Sequence, residues 1–291
     1  MPRYPLAGKT ALITGGARGI GLGVAQALAI RGAHVALVDL QAEAAQRAAA
    51  TLGPQAMALA ADVTDSSAIK SAVAQAAERF GGIDVVVANA GIAPRPTTMR
   101  CMDSAEFERV VEVDLLGVYR TVHAALPQIV QRRGHVVLVS SVYAFVNGIL
   151  VSPYAASKAA VEQLGRTLRV ELAAHGASAT VAYFGFVDTP MLEYAALEGP
   201  AGASMQEQLP EWVRRRITPA QAGEAIAAAI ERRRPRVIAP RYWAALSALR
   251  GIVNPAVDLL SARTPRLRAA IKEIETAAGG SKTGSLPSAP S

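Results

Sequence analysis

The stretch Lys9-Thr-Ala-Leu-Ile-Thr-Gly-Gly-Ala-Arg-Gly-Ile-Gly21 decides the fold prediction. An apolar strand pattern over Lys9–Thr14 runs into a glycine-rich turn, and a helical pattern over Leu22–Ile30 follows. This succession forms a phosphate cradle, because the first turn of the helix presents free N–H groups to an anion. Gly15 permits the tight turn, and Gly19 lets backbone and ligand approach each other. The glycine pattern alone also fits an ordinary strand–helix turn, so its context decides.

A second strand pattern, His34–Val38, ends at Asp39. This places a carboxylate about 20 residues after the glycine turn, where it can accept hydrogen bonds from both hydroxyls of a cofactor ribose. A carboxylate at that position repels a 2′-phosphate. The two motifs therefore predict a dinucleotide site that takes NAD, with NADP disfavoured.

Strand and helix patterns alternate along the rest of the chain. The strand patterns are almost continuously apolar, which is typical of strands buried on both faces of a parallel sheet. We predict strands at Ala56–Ala61, Asp84–Ala88, Val136–Val139, Ser178–Phe184 and Arg236–Ala239, and helices at Ser66–Phe80, Ser104–Val130 and Pro219–Arg234. The predicted fold class is α/β: a single doubly wound parallel-sheet (Rossmann) domain over residues 1–240, with a C-terminal helical extension.

Polar or small residues follow the C-terminal ends of five of these strands. They are Asp39, Asp62, Asn89, Ser141 and Gly185. Ligands of doubly wound sheets bind in the crevice outside these ends. The separate motifs therefore support one another and predict a single site.

The stretch Val139–Lys158 carries the predicted chemistry. Ser141 follows a buried strand pattern, and Tyr154 and Lys158 stand four residues apart at the start of an Ala-rich helical segment. Residues i and i+4 share a helix face, so a phenol and an ammonium are expected side by side. A nearby cation favours the phenolate and lowers the pKa of a tyrosine, ordinarily about 10, while a serine hydroxyl can donate to the same substrate oxygen. The trio suits proton transfer at an alcohol or carbonyl, although Tyr-x-x-x-Lys alone also fits an ordinary surface pair.

The composition narrows the classes of function. The chain of 291 residues is 51% hydrophobic and 18% charged, enough to bury a sizeable core. One cysteine, Cys101, cannot form an internal disulfide and favours a reducing compartment. With no leader pattern and no run of about 18 apolar residues, we expect a cytoplasmic protein.

The net charge of +7 is uneven along the chain. Residues 1–210 carry 16 basic and 17 acidic side chains, whereas residues 211–291 carry 14 and 6. Because the body lacks a basic stripe, no nucleic-acid partner is predicted. The four histidines lack the spacing of metal ligands, so no metal site is predicted either.

Taken together, the motifs resemble those of the short-chain dehydrogenase/reductase family over roughly residues 7–240. The matching pieces are Thr14-Gly-x-x-x-Gly-Ile-Gly21, Asp62-Val63, Asn89-Ala-Gly91, Ser141 and Tyr154-x-x-x-Lys158. Their order and spacing are far more specific than any one of them. The resemblance implies an NAD(H)-dependent oxidoreductase that interconverts a secondary alcohol and a ketone, assembled as a dimer or tetramer. A catalytically weak protein that binds or regulates on the same fold is the alternative.

The resemblance also implies the roles of individual residues. Tyr154 is implied as the catalytic acid/base, Lys158 as the residue that lowers its pKa and holds the nicotinamide ribose, and Ser141 as the donor to the substrate oxygen. The implied cofactor contacts are Gly15, Arg18, Gly19, Ile20, Asp39, Asp62, Val63, Asn89, Ala90, Gly91, Tyr154, Lys158, Val187 and Thr189.

Two positions depart from the family pattern. Asp114, in Val113-Asp-Leu-Leu-Gly117, stands where the family usually has an asparagine that helps to hold a water linked to the lysine. A carboxylate near Lys158 would partly offset the effect of the lysine on Tyr154, so Asp114 joins the candidate catalytic residues. The alternative is a tolerated substitute that serves the same water. In addition, Phe184-Gly185 stands where the family often has Pro-Gly, and the glycine that lets the backbone approach the cofactor remains.

The segment Met191–Ile217 lies where the resemblance places a substrate-covering loop. Its apolar start is typical of lids that exclude water around the reacting centre. This favours a lipophilic alcohol or ketone, sterol-like or long-chain, as substrate. Packing of the same residues against the sheet or a neighbouring subunit carries nearly equal weight.

Residues 241–275 form a basic, amphipathic extension that Pro255 and Pro265 are predicted to break into short helices. Basic amphipathic helices can lie on an anionic membrane surface, so peripheral membrane contact is one interpretation. Packing on the body or capping of the substrate site is the favoured one. Residues 276–291 are predicted to be a disordered tail, because Gly, Ser and Pro dominate its end.

Overall fold

The computed structural model describes residues 3–192 and 211–281, in which seven strands form one parallel sheet. The strands are β1 (Thr10–Thr14), β2 (His34–Asp39), β3 (Ala56–Ala60), β4 (Val85–Ala88), β5 (His135–Val139), β6 (Ser178–Phe184) and β7 (Arg236–Ala239). Their order across the sheet is β3-β2-β1-β4-β5-β6-β7. The winding reverses between β1 and β4, and ligands of such sheets bind in the crevice that this reversal opens. The predicted doubly wound α/β fold is confirmed.

Helices cover both faces of the sheet, and two more follow β7. They are α1 (Gly19–Ile30), α2 (Ala42–Leu52), α3 (Ser66–Phe80), α4 (Ser104–Val111), α5 (Val118–Gln131), α6 (Ser152–Ala173), α7 (Glu211–Arg214), α8 (Pro219–Glu231), α9 (Trp243–Arg263) and α10 (Pro265–Ser281). One apolar layer lies beneath α1 and α8, and the other beneath α3 and α5. Every residue of β1, β4, β5 and β6 is buried, as the apolar strand patterns predicted.

Local capping explains where several helices begin. The carboxylate of Asp65 accepts from two backbone N–H groups at the start of α3, and that of Asp103 does the same for α4. At α8, Thr218 and Gln221 form a reciprocal capping box, with Pro219 in the first turn. Each such cap stabilises its helix by about 1 kcal/mol.

The single helix predicted over Ser104–Val130 is divided in the structure. A π-helical turn, Glu112–Gly117, separates α4 from α5. A π turn inserts one residue into the helix, and the one glycine at its end, Gly117, does not distinguish it from an α-helix, so the apolar periodicity did not reveal it. The turn carries Asp114 into the interior, where it is 0% exposed.

The prediction that Pro255 breaks the C-terminal extension is wrong, because α9 runs through it. A proline inside a helix crowds the carbonyl four residues earlier and leaves that carbonyl without a partner. Here the carbonyl belongs to Gly251, an exposed residue with open space around it, so water can hydrate the group. Pro265 begins α10, at a position where proline is favoured.

Two other predicted segments lie only partly within the described residues. Helix α10 continues to Ser281, so the prediction that residues 276–281 are disordered is wrong, because the Gly, Ser and Pro that dominate the tail begin only at Gly279 and the helix runs on past Thr276. Residues 282–291 lie outside the described part. The predicted lid, Met191–Ile217, lies largely outside it as well, since residues 193–210 are not described. Within the described ranges, no helix combines the length and apolarity needed to cross a bilayer.

Candidate active site

The glycine turn after β1 is held from the neighbouring strand. The side-chain amide of Asn89, at the end of β4, donates to the carbonyls of Thr14 (2.9 Å) and Gly15 (3.1 Å). Gly15 has a φ of +62°, and a Cβ there would lie 3.0 Å from both Ala90 Cα and Asn89 Nδ2. A side chain at position 15 is therefore strained and crowded, and glycine keeps the turn tight against β4.

The next glycine of the motif shapes a narrow passage. Gly19 has a φ of +54°, and a Cβ there would lie 3.2 Å from Thr189 Cγ2. Helix α1 begins at this residue, so its first N–H groups face the same space. A pyrophosphate fits this arrangement, because the bare backbone lets it approach the positive end of the helix.

Asp39 accepts a hydrogen bond from the glycine turn itself. Its Oδ2 accepts from the N–H of Ala17 and its Oδ1 from that of Gln41, both at 3.1 Å. The carboxylate is thereby fixed at the end of β2, beside the turn. Asp62, at the end of β3, is fixed in the same way by the N–H of Thr64 at 2.8 Å.

A cleft of about 2130 Å³ runs along the carboxyl ends of the strands. It exceeds the few hundred to about 1,000 Å³ of a pocket for one small ligand, so a dinucleotide and a substrate can share it. Every predicted cofactor residue and the predicted Ser-Tyr-Lys trio line it, namely Gly15, Arg18, Gly19, Ile20, Asp39, Asp62, Val63, Asn89, Ala90, Gly91, Ser141, Tyr154, Lys158, Val187 and Thr189. Asp114 is the exception among the candidate site residues, because it is buried behind Lys158.

Ser141, Tyr154 and Lys158 meet where β5 ends and α6 begins. Tyr154 and Lys158 lie one turn apart on α6, with the lysine Nζ 5.3 Å from the centroid of the phenol ring. The same Nζ donates to the carbonyl of Val139 at 3.4 Å. The Ser141 hydroxyl hydrogen-bonds Tyr154 and accepts from the N–H of Tyr143 at 3.2 Å.

The two adjacent serines have different partners. The hydroxyl of Ser140 donates to the carbonyl of Lys158 at 2.7 Å and is buried. Ser140 therefore ties α6 to β5, whereas Ser141 turns toward the phenol of Tyr154. Ser141 is also the serine that the family resemblance implies as the donor to the substrate oxygen.

A buried carboxylate stands on the other side of the lysine. Asp114 Oδ2 lies 3.1 Å from Lys158 Nζ, and Asp114 Oδ1 accepts from the N–H of Ile92 at 2.7 Å. Although burial disfavours the ammonium, Asp114 and Tyr154 raise the pKa of Lys158 above its ordinary value. Burial raises the pKa of Asp114, while Lys158 and the Ile92 N–H act against it. The short contacts hold the pair as an ammonium and a carboxylate.

The pKa of Tyr154 reflects competing effects. Burial raises it above the ordinary value, Lys158 lowers it, the charge of Asp114 raises it, and Ser141 lowers it. Lys158 therefore lowers the pKa of Tyr154 in the predicted direction, although the pKa stays above its ordinary value in the chain alone. Desolvation of the phenolate outweighs the ammonium. The direction of the Asp114 effect is the predicted one.

Two features of the site escaped the sequence reasoning. The Thr14 hydroxyl accepts from the N–H groups of Asn89 (3.1 Å) and Ala90 (3.3 Å), locking β1 to β4 below the turn. Its position at the head of the glycine motif was the available signal. The indole of Trp243 packs on Gly185, where a Cβ would lie 2.5 Å from Nε1. No local pattern reveals that contact, because it joins β6 to the C-terminal extension.

The sequence model of the short chain dehydrogenase family matches residues 9–198, which is more than half of the chain. The chain belongs to the short-chain dehydrogenase/reductase family. It is therefore an oxidoreductase that acts on CH–OH groups, the family being one that uses NAD or NADP. Dehydrogenases of this family bind small-molecule alcohols or ketones.

Among the relatives of this dehydrogenase, cis-4-hydroxycyclohexanecarboxylate dehydrogenase of Sinomonas cyclohexanicum is 37% identical over 222 residues, 75% of this chain and 88% of that one. L-fucose dehydrogenase of Bos taurus is 33% identical over 194 residues, 67% of this chain and 72% of that one. A solved 3-ketoacyl-(acyl-carrier-protein) reductase from Brucella melitensis, complexed with NADH, is 28% identical with a TM-score of 0.72. That alignment covers 80% of this dehydrogenase and 97% of the reductase.

Proposed function

We propose that this dehydrogenase interconverts a lipophilic secondary alcohol and its ketone with NAD(H) as cofactor. The observation that carries the proposal is the meeting of Ser141, Tyr154 and Lys158 on one cleft with the glycine turn. A substrate oxygen between the serine and the phenol has a donor on one side and a proton acceptor on the other.

The residues divide the work of proton transfer. Ser141 orients the substrate oxygen, and Tyr154 takes the hydroxyl proton in oxidation or returns it in reduction. Lys158 favours the phenolate, and Asp114 keeps the lysine charged without touching the cleft, which makes Asp114 a positioning residue. When bound, the nicotinamide accepts or supplies the hydride.

The preference for NAD rests on Asp39. Its carboxylate lines the cleft beside the glycine turn and is fixed by two backbone N–H groups. It can accept from the hydroxyls of an adenosine ribose and repels a phosphate on the 2′ oxygen. Arg18 lines the same region, so measuring both cofactors is part of the test.

The proposed substrate class rests on the lining of the cleft near Tyr154. The names of the relatives point to a cyclic hydroxy acid and to a sugar, so they do not agree on a substrate. The lining here includes Val146, Ile149 and Phe186, which suit an apolar substrate body.

We also propose that the enzyme is cytoplasmic and that it assembles as a homo-oligomer, either a dimer or a tetramer. Exposed apolar side chains on α5 and α6, Tyr119 (50%) and Val170 (76%), support contact between copies. The outer face of α9 exposes Ile252 (77%) and Leu260 (66%) near basic residues of α10, which supports peripheral contact with an anionic membrane surface. Binding of Ile252→Glu to anionic vesicles, compared with the wild type, tests that contact: equal binding removes it.

The activity is tested with the purified full chain, following nicotinamide fluorescence over a panel of alcohols with NAD and NADP. Apolar secondary alcohols with NAD should give the highest kcat/KM. Tyr154→Phe should lower kcat by about 10² to 10⁴, the usual contribution of an acid/base group, while still binding NADH. Tyr143→Phe is the matched control, because its ring packs edge-on against Tyr154 (centroids 6.0 Å apart) without a lysine four residues later. Turnover of polar polyols alone would contradict the lipophilic assignment.

A further inference from the structure

Helix α9 follows β7 and presents one face to the cleft. The residues of α9 that line the cleft fall on one face of the helix: Trp243, Leu246, Val253, Asn254, Val257, Asp258 and Ser261. Four members of this face are apolar, Trp243, Leu246, Val253 and Val257, and the polar Asn254 and Asp258 beside them are hydrogen-bonded to the loop between β5 and α6. The neighbouring Ile252 points the other way and is 77% exposed.

The helix is fixed to the catalytic body at its first turns. Trp243 is buried, and its indole packs on Gly185 at the end of β6. Arg250 donates two hydrogen bonds of 2.9 Å to the carboxylate of Glu162 on α6. The Glu162 side chain is 9% exposed, so this bidentate pair is shielded and its charges are matched. Arg250, which lies between Leu246 and Val253 at helical spacing, is thereby held in an ion pair with α6.

Two more contacts join α9 to the loop that carries Ser141. Asn254 donates to the carbonyl of Phe145 at 2.8 Å, and Asp258 accepts from the side-chain amide of Asn147 at 2.9 Å. This loop connects β5 to α6, so it lies between the catalytic serine and the catalytic tyrosine. Helix α9 therefore lies against the loop between Ser141 and Tyr154, on the half of the sheet away from Asp39.

The extension is also attached to the opposite rim. Glu275 on α10 accepts from the Thr98 hydroxyl at 3.1 Å and pairs with Arg100 at 3.0 Å. Both partners lie in the loop between β4 and α4, whose residues Pro94 and Pro96 line the cleft. With one helix on each rim, the extension spans the substrate end of the cleft.

We propose that α9 is the specificity wall of the substrate site. Val253 and Val257 receive the apolar part of the alcohol that lies away from its carbinol carbon. Removing that apolar surface from water favours a long or bulky substrate, whereas a charged group placed there loses its hydration without gaining a partner. This inference rests on the proposed function and adds to it the element that selects the substrate.

Two adjacent residues of α9 provide a matched test in the full chain. Val253→Glu places a carboxylate on the cleft face, and Ile252→Glu places the same carboxylate on the exposed face one residue earlier. We expect Val253→Glu to lower kcat/KM for a medium-chain methyl carbinol by at least about tenfold, the effect of disturbing a hydrophobic substrate pocket. Turnover of isopropanol and fluorescence titration with NADH should stay near wild-type values. Ile252→Glu should leave all three unchanged.

The outcomes distinguish failure of the proposed role of α9 from failure of the proposed enzymatic activity. The proposal is overturned if the ratio of kcat/KM for the methyl carbinol to kcat/KM for isopropanol is the same in Val253→Glu and the wild type. It is also overturned if Ile252→Glu loses activity selectively on the methyl carbinol. If Val253→Glu fails to bind NADH, Val253→Thr, which keeps the side-chain volume, replaces it. A drop in kcat/KM for the methyl carbinol but not for isopropanol then supports the proposal, and an unchanged kcat/KM overturns it. A wild-type enzyme that turns over no alcohol refutes the proposed function instead.

Discussion

Lys158 and Asp114 form a buried ion pair directly behind the candidate catalytic tyrosine. The two charged atoms are 3.1 Å apart, and the side chains are 4% and 0% exposed. A negative charge so close to Lys158 works against the phenolate of Tyr154, and it raises the pKa of both Tyr154 and Lys158. The pair thus keeps the lysine charged and at the same time makes the tyrosine a weaker acid.

Replacing Asp114 by Asn should therefore move the pH profile of alcohol oxidation. Loss of the carboxylate charge lowers the pKa of Tyr154, so the rising limb of kcat/KM should appear at lower pH than in the wild type. Steady-state rates across the alkaline range measure it. Glu43→Gln, an exposed change on α2, is the control for altered net charge. An unmoved limb would show that Asp114 is merely a substitute for the usual asparagine.

The two neighbouring serines should separate catalysis from stability. Ser141→Ala removes the donor to the substrate oxygen and should lower kcat by about 10² to 10³, as removal of comparable donors does. Ser140→Ala removes the bond to the Lys158 carbonyl and should lower the free energy of unfolding by about 1 kcal/mol, with kcat changed little. Kinetics and urea unfolding of both variants check this. A large loss of kcat in Ser140→Ala would mean that the serines had been assigned in the wrong order.

The sequence predicted the sheet and the cleft because both depend on local patterns. Apolar runs define the strands, and the residue after each strand lies at the ligand edge by geometry alone. The π turn at Glu112–Gly117 was missed because a single glycine at its end is compatible with an ordinary α-helix. The contacts of Arg250 with Glu162 and of Trp243 with Gly185 were missed because they join residues distant in sequence, which periodicity cannot pair. The opposing effect of desolvation on the pKa of Tyr154 could not be predicted, because desolvation depends on the folded surroundings.

His135 should make stability depend on pH. It lies fully buried at the start of β5 between the hydroxyls of Ser178 (2.7 Å) and Thr180 (2.8 Å). Burial lowers its pKa to about 3, against about 6.5 in the unfolded chain. Below pH 6.5 the unfolded chain binds a proton that the folded chain refuses, so stability falls as the pH falls toward 3.

This difference in the pKa of His135 should lower the free energy of unfolding of the wild type by about 2 kcal/mol between pH 7.5 and 5. His135→Gln should be less stable at pH 7.5, because the hydrogen bonds are disturbed, but should lose less stability on acidification. Urea unfolding at the two pH values measures both, with the exposed His175→Gln as control. Equal acid sensitivity of His135→Gln and wild type would assign the effect to other groups.

Gly185 should be coupled to Trp243. An alanine methyl at position 185 would lie 2.5 Å from the indole Nε1, so the buried ring must shift. Overpacking of this kind typically destabilises by about 1 to 3 kcal/mol. Because Trp243 opens α9, Gly185→Ala should also loosen the wall and raise KM for a bulky alcohol more than for isopropanol. Trp243→Leu gives the added methyl room, so the double variant should be more stable than the sum of the two single changes predicts. Thermal unfolding of the four proteins yields the coupling, and strict additivity would mean that the two side chains do not meet.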